Sequence, residues 1–181
     1  MNLRPTVNAR PSNAVALLAF GLLVASTTQA QTTRTLSGSW RHASSSAEAA
    51  QRQRAIEAST EALPFFVRSR ARERLAERTQ PPSEIRLALD RGRIEMSASG
   101  RTLSLEVGGP AIEVEGEGGR GRVQASRGPR GELIISMRGT GGRRTTTYWL
   151  SEDGRELVLD VEIAAERLPA PIRYRLTYRR T

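Results

Sequence analysis

The chain has 181 residues, with 28 basic side chains against 19 acidic ones, one histidine and no cysteine; every basic residue is an arginine. Disulfide scaffolds and cysteine-based metal sites are excluded, so packing must supply the stability. A formal charge of +9 predicts attraction to anionic surfaces.

Residues 1–30 have the layout of an export signal. Arg4 and Arg10 form a basic start, 14–25 an apolar run, and "STTQA" a small polar end before a cut after Ala30. The run is too short for a good membrane span. The expected mature chain, 31–181, is then one domain carrying +7, a monomer that does not span a membrane, in a bacterial periplasm or outside the cell. Its anionic surroundings there are phospholipid, lipopolysaccharide or acidic polymer.

"TLSGSWRH" (35–42) reads as a first strand. Ser45 and Glu48 have the spacing of a capping box, in which each side chain satisfies an amide of the other's turn. A helix over about 46–62 follows. Pro64, tolerated only where a helix begins, starts a second over about 64–79, and "QPPS" closes the pair. On a helical wheel Leu63, Phe66, Val67, Ala71 and Leu75 share one side, which should pack toward the sheet, with Phe65 opposite. Arg70 and Arg74 project within that apolar sector and Arg78 near it, so charge and apolar surface are not segregated as a membrane-surface helix requires.

From Glu84 the period becomes two. Apolar residues alternate at Ile85, Leu87, Leu89; Ile94, Met96, Ala98; Leu103, Leu105, Val107; and Ile112, Val114. The alternation is less regular through "RVQAS", "ELIISMR" and "RTTTYWLS", and returns at Leu157, Leu159, Val161, Ile163 and at Ile172, Tyr174, Leu176, Tyr178. Glycine-rich turns separate the runs. The fold class expected is mainly β: an antiparallel meander of about ten strands forming a barrel or half-barrel, with a two-helix cap inserted after the first strand. Charged residues occupy the outward positions, the reverse of an outer-membrane barrel. Inward aliphatics serve a filled core and an apolar pocket equally.

No catalytic, metal or cofactor site is expected. His42 has no HExxH context, and no G-x-S-x-G elbow stands near a base. "GEGGRG" (116–121) spells G-x-G-x-x-G, but it joins two strands, not a strand and a helix, so it reads as a hairpin loop. Nucleic acid is not an expected partner of an exported chain. Glu113 and Glu115 share a strand face, with Arg122 as the expected cross-strand partner.

One strand, two helices and a meander is similar to the fatty-acid-binding-protein arrangement of the calycin group. Gly38-Ser39-Trp40 resembles the G-x-W signature of lipocalins, and Thr146-Thr147-Tyr148 their T-D-Y element with threonine in place of aspartate. The resemblance implies that Trp40 closes the barrel floor against an arginine near the chain end, Arg179 or Arg180, of which Arg179 is taken here. It also implies a small apolar ligand. The R-x-Y carboxylate anchor of fatty-acid-binding proteins is missing, since Ile172 and Leu176 precede Tyr174 and Tyr178 by two. The function expected is non-catalytic: a carrier or sensor of a lipid-like apolar or anionic amphiphilic molecule, or else a module whose basic exterior binds an acidic polymer or a protein. The candidate ligand-binding residues are Arg70, Arg74, Phe66 and Tyr174. Arg70 and Arg74 either cover apolar surface with their stems or meet an anionic head group.

Overall fold

The computed structural model describes residues 36–116 and 119–181. The export signal expected over 1–30 lies outside them, as do Glu117 and Gly118 of the glycine-rich hairpin. Ten strands form one antiparallel sheet: β1 (Gly38–His42), β2 (Glu84–Asp90), β3 (Arg93–Ala98), β4 (Arg101–Glu106), β5 (Ile112–Gly116), β6 (Gly119–Arg127), β7 (Leu133–Gly139), β8 (Gly142–Leu150), β9 (Glu156–Ala165) and β10 (Ile172–Arg180). Helices α1 (Ser46–Thr60) and α2 (Phe65–Arg78) stand between β1 and β2. The expected mainly-β meander with a helix pair after the first strand is the fold observed.

The sheet order is β4-β3-β2-β1-β10-β9-β8-β7-β6-β5, so the first strand joins the two arms of the meander. Two-residue turns with positive φ at both positions, Arg91-Gly92 and Ser99-Gly100, hold β2–β3 and β3–β4 in register. The sheet is nearly closed. The closing contact passes β5 and reaches β6 from the segment after β4, where Val107 bridges Ala125 and the Gly108 amide donates to the Ala125 carbonyl (2.8 Å).

β1 is shorter than β10, and it covers only Tyr178, Arg179 and Arg180 of that strand. Beyond it the edge of β10 is taken over by α1: Glu48 Oε2 accepts from the Thr177 amide (2.9 Å) and Gln51 Oε1 from the Arg175 amide (3.3 Å). Glu48 Oε1 accepts from His42 Nε2 at 2.5 Å, and the His42 ring lies against Tyr178. The capping box is therefore half of what the spacing suggests. Ser45 Oγ does accept from the Glu48 amide (3.1 Å), but the Glu48 carboxylate is spent on β1 and β10. Each strand amide left at a buried edge needs such an acceptor.

The floor is closed by Trp40, which is fully buried and donates from Nε1 to the Leu36 carbonyl (3.0 Å). The arginine stacked on it is Arg180, its guanidinium 4.4 Å from the ring centre and Nη1 on the Ser37 carbonyl (3.0 Å). This corrects the choice of Arg179, which lies on the outside and pairs with Glu156 (3.4 Å). Side chains on a strand alternate between faces. With Tyr174, Leu176 and Tyr178 buried, only Arg180 of the two arginines shares their side. Gly38 makes room for it, since a β-carbon there would stand 2.7 Å from Arg180 Nη1.

Two substitutions check these supports. Arg180→Met should cost about 0.5–2 kcal/mol in urea unfolding, the range of a cation–π contact, whereas Arg179→Met should stay within about 0.5 kcal/mol. Glu48→Ala leaves the Thr177 amide without its acceptor and should cost about 1.5–3 kcal/mol by the same measurement.

Candidate functional site

The register places inward residues in rows that run around the barrel. One row consists of Ala125, Ile135, Thr146, Val161 and Tyr174, all between 0 % and 6 % exposed. With Ile94, Leu105, Leu157, Leu159 and Leu176, also buried, they fill the interior from the floor upward. That part of the barrel is a solid core.

The next row, toward the helical end, is different. It runs Ile112, Val123, Met137, Arg144, Ile163, Ile172. Val123 and Ile172 in it are fully buried, but Met137 is 44 % exposed and Ile112 37 %, while Arg144 and Ile163 are half-buried. Leu103 and Val114, packed on the core from β4 and β5, are also only half-buried. These partly exposed side chains face inward by alternation and are nevertheless reached by solvent, because α1 docks on β10 with α2 packed on α1, which leaves this side of the mouth uncovered. The result is a shallow apolar mouth with one charge in it.

That charge is unmatched. Arg144 makes no hydrogen bond or ion pair among the described residues. Its field reaches the buried phenols of Tyr148, Tyr174 and Tyr178: burial pushes all three up, and the Arg144 guanidinium pulls each back. The hydroxyls of Tyr174 and Tyr178 donate to the Thr79 (3.4 Å) and Pro82 (3.0 Å) carbonyls, tying the link after α2 to the barrel end. Arg52 Nη1, on the Ala76 carbonyl (3.2 Å), is the second cation near Tyr174. A half-buried guanidinium without a counter-ion costs solvation energy, and it is a ready fork for a carboxylate or phosphate.

Of the residues singled out from the sequence, Tyr174 lies one row below Arg144, while the other three are elsewhere. Phe66 is 83 % exposed, so it does not pack toward the sheet, and Arg70 and Arg74 are exposed on the same outer side of α2. The face of α2 that turns inward carries Arg68, Arg72, Leu75 and Ala76 instead. Arg72 Nε donates to Thr60 Oγ1 (3.0 Å) and Arg68 Nη2 to the Leu63 carbonyl (2.9 Å). Both acceptors, the Thr60 hydroxyl and the Leu63 carbonyl, lie at or just after the C-terminus of α1, so the turn between the helices, at the negative end of the α1 dipole, holds these arginines inward and with them the rotation of α2. Arg144 went unnoticed in the sequence, although Tyr148 carried a signal: on a strand, positions 144, 146 and 148 share one side.

The wider clefts lie outside the barrel. One of about 610 Å³ between α1 and the outer face of β8–β10 is lined by Gln51, Asp160, Glu162, Arg173 and Arg175. Its charges satisfy one another: Arg175 grips Asp160 through two bonds (2.8 and 2.9 Å) and stacks over Trp149, and Arg173 holds Glu162 (2.8 Å).

No protein-family model matches the chain, and no curated protein matches it in sequence. Solved structures do match in fold. A secretory abundant heat soluble protein from Ramazzottius varieornatus superposes with a TM-score of 0.54 at 9 % identity, over 82 % of this chain and 96 % of that one. Secretory abundant heat soluble protein 4 from the same organism gives 0.50 at 12 % identity, over 83 % and 97 %. A Schistosoma mansoni fatty acid binding protein, crystallised with arachidonic acid, gives 0.48 at 10 % identity, over 83 % and 98 %. The first two superpositions show that the chain shares the fold of these proteins, a β-barrel as its sequence led to expect.

Removing the unmatched charge tests this description of the mouth. Arg144→Met should stabilise the protein by about 0.5–2 kcal/mol in urea unfolding, as substitutions that relieve a functional cost do.

Proposed function

We propose that the chain is a non-catalytic binding protein for a small anionic amphiphile, held at the helical mouth of the barrel. Arg144 takes the acidic head group, and Leu103, Ile112, Val114, Met137 and Ile163 take the apolar part. The observation that carries this reading is an inward, half-buried arginine that makes no hydrogen bond or ion pair among the described residues and lies in an apolar ring. An apolar recess with one placed polar group is the usual form of a small-molecule site. Because the core below is packed, the occupant is short or lies across the mouth. The type of barrel supports a binding role over catalysis by analogy of fold alone.

The leader-like start of the sequence supports export, to the periplasm or beyond. N-terminal sequencing of the protein from its own host should begin at Gln31; a chain starting at Met1 overturns that part.

Calorimetric titration with decanoate and with decanol tests the site. The acid should bind the wild type at least about tenfold more tightly than the alcohol. Arg144→Met should weaken decanoate by about ten- to a hundredfold, the worth of a hydrogen bond to a charged group, and leave decanol unchanged. Equal affinity for acid and alcohol, or no binding of either, refutes the proposal.

A further inference from the structure

The outer face of β6–β8 carries an arrangement that folding alone does not favour. Arg122 stands directly opposite Arg138, and Arg138 directly opposite Arg143, so three exposed arginines lie side by side across three strands. Like charges directly opposite on one sheet face destabilise it. At the ends of the row there is relief: Glu113 stands opposite Arg122, and Glu162 reaches Arg143 at 3.5 Å. At its centre no ion pair forms among the described residues, although Glu166 lines a cleft shared with Arg138 and Arg143. Every side chain directly or diagonally across from Arg138 is basic or neutral: Arg120, Arg122, Gln124, Arg143 and Thr145. Arg120 is engaged by Glu115 (3.2 Å).

One step along the strands runs a parallel row of neutral hydrogen-bonding groups, Gln124, Ser136 and Thr145, each opposite the next; Gln124 Nε2 already donates to the Gly109 carbonyl (3.0 Å), which leaves its Oε1 as the acceptor. The two rows line a groove of about 390 Å³, with Ala111 at its rim. Its chemistry is thus a line of forks for anions beside a line of hydroxyl and amide groups. Strands lie about 4.8 Å apart, so the cations repeat at roughly the length of one sugar.

We propose that this groove is a second binding site, for an acidic polysaccharide: the arginines take the carboxylates of successive uronic-acid units, and Ser136, Thr145 and Gln124 take their hydroxyls. The site is separate from the barrel mouth, and neither reading depends on the other. Arginine suits this task by pairing planar carboxylates through two donors, and a run of such contacts makes the binding salt-dependent.

The test uses the folded protein with polygalacturonate, its fully methyl-esterified form and inorganic polyphosphate as probes, by calorimetric titration at low and high salt. Wild type should bind polygalacturonate, lose affinity as salt rises, and ignore the ester. The triple variant Arg122→Gln, Arg138→Gln, Arg143→Gln should lose at least about tenfold. A control with the same change in charge, Arg70→Gln, Arg74→Gln, Arg78→Gln, should stay within about twofold, because those side chains lie on α2. Equal loss in both triples would mean attraction by net charge and would overturn the site, as would binding of the ester or failure to bind polygalacturonate. Tighter binding of polyphosphate would overturn the sugar assignment. A second readout is thermal: Arg138→Gln should raise the unfolding midpoint by about 1–3 °C, and a fall contradicts the conflict at the row's centre.

Discussion

Five residues hold the two arms of the sheet together. Gly38–His42 pairs with β2 on one side and with the end of β10 on the other, so the curvature of the barrel passes through a strand too short for the job. Its shortness leaves amides of β10 exposed along an edge that lies within the structure. A buried amide without an acceptor costs about as much as a lost hydrogen bond, and α1 answers this by laying Glu48 and Gln51 along the edge. The position of the helix pair follows from that requirement. Once α1 is docked on β10, its C-terminus collects Arg68 and Arg72 and turns α2 over. Part of the barrel mouth is left open as a result.

The interior shows the same division. From Trp40 up to the row that ends at Tyr174, inward side chains are aliphatic or aromatic and closely packed, as a solid core requires. One row higher, Arg144 breaks the pattern in a strand whose next two inward positions are Thr146 and Tyr148. Local rules and global fold usually agree, and positions where they do not are where function is to be sought. The conflict at Arg144 is of this kind, since its neighbours supply phenols and methyl groups where a carboxylate was needed.

Arginine is the only basic residue, and the structure sorts it by partner. Arg173, Arg175 and Arg179 pair with carboxylates on the neighbouring strand, Arg68 and Arg72 with the end of a helix, and Arg180 with an indole. Against that background Arg138 and Arg144 stand out by environment and not by residue type. One lies outside the barrel and one within it, and neither is paired with a carboxylate among the described residues.

The alternation of apolar and polar residues determined the strands and the inward face of each regular run, because a period of two is a local property, and the cap at Ser45 and the start at Pro64 determined the helix pair. It also contained more than was read from it: the side chain two beyond Tyr178 had to be Arg180, and the one four before Tyr148 had to be Arg144. Register and docking were not local. Which rows meet around the barrel, which of them solvent reaches, and which arginines lie side by side across β6–β8 depend on pairings between distant segments. The rotation of α2 was likewise decided by the end of α1, and that is why Phe66, Arg70 and Arg74 face outward despite sharing a helical sector with Leu75. A wheel ranks the faces of an isolated helix by hydrophobicity, but here the Thr60 hydroxyl and the Leu63 carbonyl beyond α1 hold Arg72 and Arg68 inward, and the two phenylalanine rings are left exposed.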